Sequence, residues 1–145
     1  MLKGIPKILS PELLKALCEM GHGDRLVLAD GNFPCESVGK NAVVVRCDGL
    51  GTEELLEAIL EVFPLDTYVE KPVELMQVVV GDSVETPIWD SYKDIVSGFD
   101  GRGADAFSQV ERFEFYERAK KAYLIIATSE SALYANIILQ KGVVI

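Results

Sequence analysis

The chain has 145 residues, 49% of them hydrophobic and 26% charged, with a formal net charge of −9. That balance describes a folded chain long enough to bury a core without staples, one domain over residues 1–145, and excludes an intrinsically disordered protein. The acidic surplus and the scattered Lys and Arg offer no footprint for a phosphate backbone, so nucleic acid is not the expected partner.

Met1 to Lys7 lacks a continuous signal-peptide core, and no apolar run approaches a membrane span. A cytoplasmic protein free of membrane contact is therefore expected. Ser10-Pro11-Glu12 is a helix start: a capping hydroxyl, a proline with no amide to leave orphaned, and an acid at the positive end of the dipole. Leu13, Leu14, Leu17 and Met20 form its apolar stripe, and Gly21 is its stop. Gly21-His22-Gly23 then carries the only histidine of the chain on a flexible corner that leaves the ring accessible. Leu26 to Ala29 is too short for a helix and reads as a buried strand. Asp30 opens the loop Gly31-Asn32-Phe33-Pro34 where that strand stops, and one short strand is expected to bring His22 and Asp30 to one side of a cleft.

The polar loop continues to Lys40. Ala42 to Arg46 is a second strand, rich in β-branched residues. After the Asp48-Gly49 turn, Thr52 caps a helix with Glu53 and Glu54 in its first turn and Leu55, Leu56, Ile59, Leu60 and Phe63 facing inward, until Pro64 closes it. Val73 to Val80 is a third strand. A helix restarts at Thr86-Pro87, with Ile88, Trp89, Tyr92, Ile95 and Val96 at helical spacing. Trp89 and Tyr92 read as core rather than as a sugar-stacking platform. Residues 97–103 are the loosest segment, and their glycines lack the strand-to-helix context of a dinucleotide loop. Glu111 to Lys121 reads as a helix with one aromatic face and a basic last turn. Tyr123 to Ala127 is a fourth strand and Ile137 to Leu139 a final one.

Alternating strands and helices, with no repeat of 20 to 50 residues, predict a single α/β domain: a mixed sheet with helices packed on both faces, ligands sitting beyond the strand ends. Cys18, Cys35 and Cys47 form no paired or zinc-like pattern. Cys18 and Cys47 read as packing residues, and Cys35 as a nucleophile would depend on His22, the one available base. The polar set on loops and element ends is His22, Asp30, Arg112, Tyr116, Tyr134 and Asn136. These donors and acceptors suit a polyhydroxylated ligand, although each also has an ordinary structural reading as a cap, a turn residue, a surface ion pair or a core tyrosine.

Several stretches together carry a resemblance. They are Leu2-Lys3-Gly4-Ile5, Leu9 to Leu14, Met20-Gly21-His22-Gly23-Asp24, Asp30 with Asn32-Phe33-Pro34, Arg46 with Asp48-Gly49, Tyr134-Ala135-Asn136 and Lys141-Gly142-Val143. In these the chain resembles the family of L-fucose mutarotases and D-ribose pyranases from end to end. Glu111 to Arg118 resembles the fucose branch, in which an arginine stands where the ribose branch carries a histidine. Gly31 and Ala135 depart from that branch by small-for-small exchanges.

The resemblance implies an isomerase that interconverts the α and β anomers of L-fucose. His22 would be the proton donor, and Asp30, Arg112 and Tyr134-Ala135-Asn136 would bind the sugar; the polar set read from the residues adds Tyr116 as a candidate for the same pocket. It implies no metal, nucleotide or redox cofactor. It also implies a ring-like homo-oligomer, often a decamer, with active sites shared between neighbouring subunits. A D-ribose pyranase and a non-catalytic monosaccharide-binding module remain the alternatives.

Overall fold

The computed structural model describes all of residues 1–145. Its elements are α1 (Pro11–Glu19), β1 (Arg25–Ala29), α2 (Cys35–Val38), β2 (Val43–Cys47), α3 (Thr52–Leu60), β3 (Val73–Met76), α4 (Pro87–Ser97), a 3-10 turn (Gly103–Ala106), β4 (Phe107–Val110), α5 (Arg112–Lys120), β5 (Leu124–Thr128) and β6 (Ile137–Gln140). Local chemistry accounts for the starts. Ser10 Oγ accepts the Leu13 amide at 3.2 Å with Pro11 as the first helical residue, a cap worth about 1 kcal/mol. Glu111 does the same for α5, accepting from the amides of Phe113 and Glu114. Thr52 is not the cap of α3. Gly51 holds that position, its amide donating to Glu54, while Glu130 accepts from both the amide and the hydroxyl of Thr52.

The six strands form one sheet in the order β2-β5-β1-β6-β3-β4. β1, β2, β3, β4 and β5 run parallel, and β6 alone is antiparallel, wedged between β1 and β3. Strand side chains alternate between faces, and β1 divides accordingly. Leu26 and Leu28 enter the larger apolar layer with α1, α3 and α4, whereas Val27 and Ala29 enter the smaller one with α2 and α5. Helices therefore cover both faces, which is why β1 and β5 are apolar almost without interruption. No helix is long and apolar enough to cross a membrane.

Several expectations need correction. β3 ends at Met76, not Val80, because β6 begins at Ile137 opposite Leu75 and offers no backbone partner further along. β4 has no counterpart among the expected strands: it is a four-residue edge strand with Ser108 and Gln109 between its apolar ends, too short to show alternation. The single turn α2 and the 3-10 turn after the loose segment also lacked any periodic signal. α3 stops at Leu60, although Phe63 is still buried. Cys18 is exposed on α1 rather than packed. Trp89 and Tyr92 are core, as read.

Candidate functional site

In an open sheet the loops that can bind a ligand gather at the carboxyl ends of the parallel strands. Here that edge carries Asp30 after β1, the segment after β3, and Arg112 after β4. Because β6 runs the other way, the residues that precede it, Tyr134 to Asn136, arrive at the same edge. They surround a cavity of about 310 Å3 lined by Asp30, Asn32, Phe33, Met76, Asp82, Arg112, Tyr116, Leu133, Tyr134 and Asn136.

Asp30 and Asn136 are clasped in both directions. The Asn136 side-chain oxygen accepts the Asp30 amide at 2.8 Å, and its NH2 donates to Asp30 Oδ2 at 3.0 Å, while Asp30 Oδ1 accepts the Asn32 amide at 3.0 Å. Both residues are buried. Burial raises the Asp30 pKa above its ordinary value, opposed by hydrogen bonds from the Asn32, Phe33 and Ala135 amides and from Asn136. Tyr134 takes a left-handed backbone at φ 56°, a strained position for a tyrosine. It is held by Trp89 Nε1, which donates to its carbonyl at 2.8 Å, and by its own hydroxyl, which donates to Asp82 at 3.0 Å and accepts the Val79 amide. The Tyr92 hydroxyl donates to the Ala135 carbonyl at 2.7 Å and lies 2.6 Å from Thr52 Oγ1. The two core aromatics of α4 thus also fix the backbone of the site.

Arg112, the first residue of α5, lies with its guanidinium carbon 5.9 Å from the Tyr116 ring and 5.9 Å from the Phe113 ring. Tyr116 stacks on Phe33 at 5.5 Å. The cavity lining therefore combines a carboxylate, an amide and a guanidinium with the apolar side chains of Phe33, Met76 and Leu133. Cys35, just outside, is buried with its thiol pushed up to about 11 by that burial. It is not poised as a nucleophile.

His22 is not in this cavity. It precedes β1 at the amino end of the parallel strands, whereas Asp30 follows β1 at the carboxyl end. At a rise of about 3.3 Å per residue, the five residues of β1 alone separate its ends by about 13 Å. The expectation that one short strand brings the two groups to one side of a cleft therefore fails within one chain: a strand holds its two ends apart.

At the amino edge His22 has its own surroundings. Its Nε2 lies 3.1 Å from Asp66 Oδ1, and its ring packs against Tyr68 with centroids 5.2 Å apart. Asp66 has only 2% of its side chain exposed, against 44% for His22. Burial alone would raise the Asp66 pKa, but hydrogen bonds from the Tyr68 amide, Gln140 and His22 outweigh it and hold the group below its ordinary value. An ionised carboxylate only accepts, so the nitrogen that faces it, Nε2, is the donor, and Nδ1 has no hydrogen-bond partner within the chain. Asp66 and Tyr68 were missed from sequence because they lie in the irregular stretch between α3 and β3. Asp82 was missed as an ordinary turn aspartate.

Residues 3–144 match the description of the RbsD / FucU transport protein family. A fucose mutarotase of Homo sapiens is 52% identical over 146 residues, covering 98% of this chain and 94% of that protein. The crystal structure of FucU from Bifidobacterium longum superposes with a TM-score of 0.97 at 68% identity, covering 99% of this chain and 100% of that one. The crystal structure of the fucose mutarotase in complex with L-fucose from Streptococcus pneumoniae superposes with a TM-score of 0.93 at 50% identity, covering 99% and 100%.

Proposed function

Because the chain belongs to the RbsD / FucU transport protein family, we propose that it is an isomerase, a mutarotase that interconverts the α and β anomers of L-fucose. The observation that carries the reading is its whole-length match, at 50% identity, to the fucose mutarotase solved with L-fucose. The cavity chemistry agrees. Arg112, Asp30 and Asn136 offer a fork, a carboxylate and an amide to sugar hydroxyls, and Tyr116 and Tyr134 complete the lining; Ala135, expected among the sugar-binding residues, is instead fully buried behind it, its carbonyl held by Tyr92. The apolar side chains of Phe33, Met76 and Leu133 in that lining suit the methyl group that distinguishes a 6-deoxy sugar such as fucose from ribose.

The reaction opens and recloses a hemiacetal. A proton is delivered to the ring oxygen while the anomeric hydroxyl loses its own, the bond between the anomeric carbon and the ring oxygen breaks, and the aldehyde recloses on its other face. His22 is our proton donor and acceptor: with Nε2–H held by Asp66, the other nitrogen, Nδ1, delivers its proton from the imidazolium to the ring oxygen and takes it back when the ring recloses. A positioned acid–base group of this kind contributes about 10²–10⁴-fold. Asp30, its basicity raised by burial, is suited to take the anomeric proton.

Since His22 and the cavity lie at opposite edges of one chain, we infer a shared site: the His22 edge of one copy closes the cavity of its neighbour in a homo-oligomer. The resemblance suggests a decamer. Exposed apolar side chains support the pairing, with Tyr68 beside His22, Leu133 in the cavity, and Val80 and Phe113 in the neighbouring pocket that shares Arg112 with it. Three unpaired thiols suit a reducing compartment, and we assign the cytoplasm.

Magnetisation exchange between the α and β anomeric protons of L-fucose tests the function, with wild type, His22→Ala and a parallel D-ribose sample. Faster exchange of L-fucose by wild type, lost in the variant, is the expected result. Sugar binding without exchange would instead indicate a binding module, and faster exchange of D-ribose a pyranase.

A further inference from the structure

The hydrogen bonds that begin at His22 do not stop at Asp66. Gln140, the last residue of β6, donates from its Nε2 to Asp66 Oδ2 at 2.9 Å. Its Oε1 in turn accepts from Arg25 Nε at 3.2 Å. Arg25 and Gln140 are directly opposed across the antiparallel β1–β6 pair, so their side chains leave the same face side by side. Arg25 is itself held: its Nη2 lies 3.6 Å from Glu74 Oε1, which also accepts from Arg118 Nη1 at 2.8 Å. The Glu74 side chain is only 7% exposed, and its Oε2 has no partner. Burying a carboxylate is costly unless cations pair with it, so Glu74 and the two arginines hold one another in place.

The chain of contacts has a direction. A side-chain amide can present either its oxygen or its NH2 to Asp66. Oxygen against a carboxylate is repulsive, and NH2 against a carboxylate is attractive. Arg25 has only hydrogens to give, so it demands the amide oxygen and leaves the NH2 for Asp66. With Gln140 on Oδ2 and the Tyr68 amide on Oδ1 at 2.9 Å, the Asp66 carboxylate is pinned at both oxygens before His22 is added.

We propose that Gln140, its amide orientation set by Arg25, is the positioning residue that locks Asp66 and thereby holds the His22 ring in the Nε2–H form, with Nδ1 left without a partner in the chain. The proposal rests on the reading of His22 as the acid–base group but addresses a property of the ring measurable without turnover. Without Gln140 the buried Oδ2 loses its donor, the carboxylate is free to rotate about its last torsion, and the histidine loses the fixed acceptor that selects its tautomer.

Because His22 is the only histidine, imidazole nitrogen–proton correlations of 15N-labelled protein report this one ring. In wild-type oligomer the neutral ring should show the Nε2–H pattern. In Gln140→Leu the two nitrogen shifts should move toward an averaged mixture of tautomers. For L-fucose exchange, kcat should fall on the order of tenfold with KM nearly unchanged, by analogy with the loss of outer partners from metal-bound histidines. Gln140→Glu keeps the shape and the contact with Arg25 while turning an acceptor toward Asp66, and should reproduce the change if the leucine variant folds poorly. Arg25→Met, which leaves the amide orientation unset, should do so more weakly. An Nε2–H pattern and kcat identical to wild type in a folded Gln140→Glu would overturn the proposal. Loss of the tautomer pattern in the variants sustains it even if wild type proves not to turn over L-fucose, which would count against the proposed function alone.

Discussion

A site divided between two copies of the chain makes a quantitative prediction. His22→Ala removes the acid–base group and leaves the cavity, while Arg112→Ala damages the cavity and leaves His22. Each variant alone should retain on the order of 1% of wild-type exchange or less, the loss expected when a positioned acid–base or binding group is removed. In an equimolar mixed oligomer, half of the His22 edges and half of the cavities are intact. In a ring as large as a decamer each site draws one of each nearly independently, so about one quarter of sites are whole, whether the contact is two-fold or head-to-tail. The mixture should therefore reach about 25% of the wild-type rate, some twentyfold or more above either variant alone. Co-expressed, differently tagged variants purified through both tags guarantee mixing, and exchange of the L-fucose anomeric protons gives the rate. Doubly purified oligomers that stay at the level of the separate variants would mean that His22 and Arg112 act within one chain or not together, and the shared site would be wrong.

Three further outcomes follow from the same contacts. Asp66 titrates below its ordinary range, so its contribution to stability is present above that range and is lost as pH falls through the folded value. In urea unfolding, Asp66→Asn should be less stable than wild type near neutrality, and the gap should narrow in acid; a gap independent of pH refutes the assignment. Tyr92→Phe removes the hydroxyl that serves the Ala135 carbonyl and Thr52 and should cost about 1–3 kcal/mol. It should also raise KM for L-fucose more than it lowers kcat, and unchanged melting with unchanged KM would argue against that role. At Gly142 an added Cβ would meet the Leu65 oxygen at 2.6 Å, the Leu65 carbon at 2.9 Å and Asp66 Cα at 3.0 Å. Since rigid backbone must yield, Gly142→Ala should cost about 1–3 kcal/mol and lower kcat by displacing Asp66, with L-fucose binding less affected. A crystal structure with Asp66 unmoved and full activity would contradict it.

What was legible in the sequence is what is local. The cap at Ser10, the stripes of α1, α3 and α4 and the continuous apolar runs of β1 and β5 follow from spacings of a few residues, and they suffice for an α/β domain covered on both faces. The individual candidates Asp30, Arg112, Tyr116, Tyr134 and Asn136 were also visible as polar groups at element ends, and the tertiary structure gathers them around one cavity.

Their grouping was not legible, because it depends on strand direction. Only the antiparallel insertion of β6 brings Tyr134 to Asn136 to the edge where β1 delivers Asp30, and the same reversal carries Gln140 to the opposite edge, beside Asp66 and His22. The eight-residue spacing from His22 to Asp30 suggests proximity, yet an extended strand converts sequence separation directly into distance. A linear pattern reports which face of an element is apolar, since that repeats every two or three to four residues. Which strand ends meet is settled by long-range backbone pairing, which leaves no periodic trace in the chain.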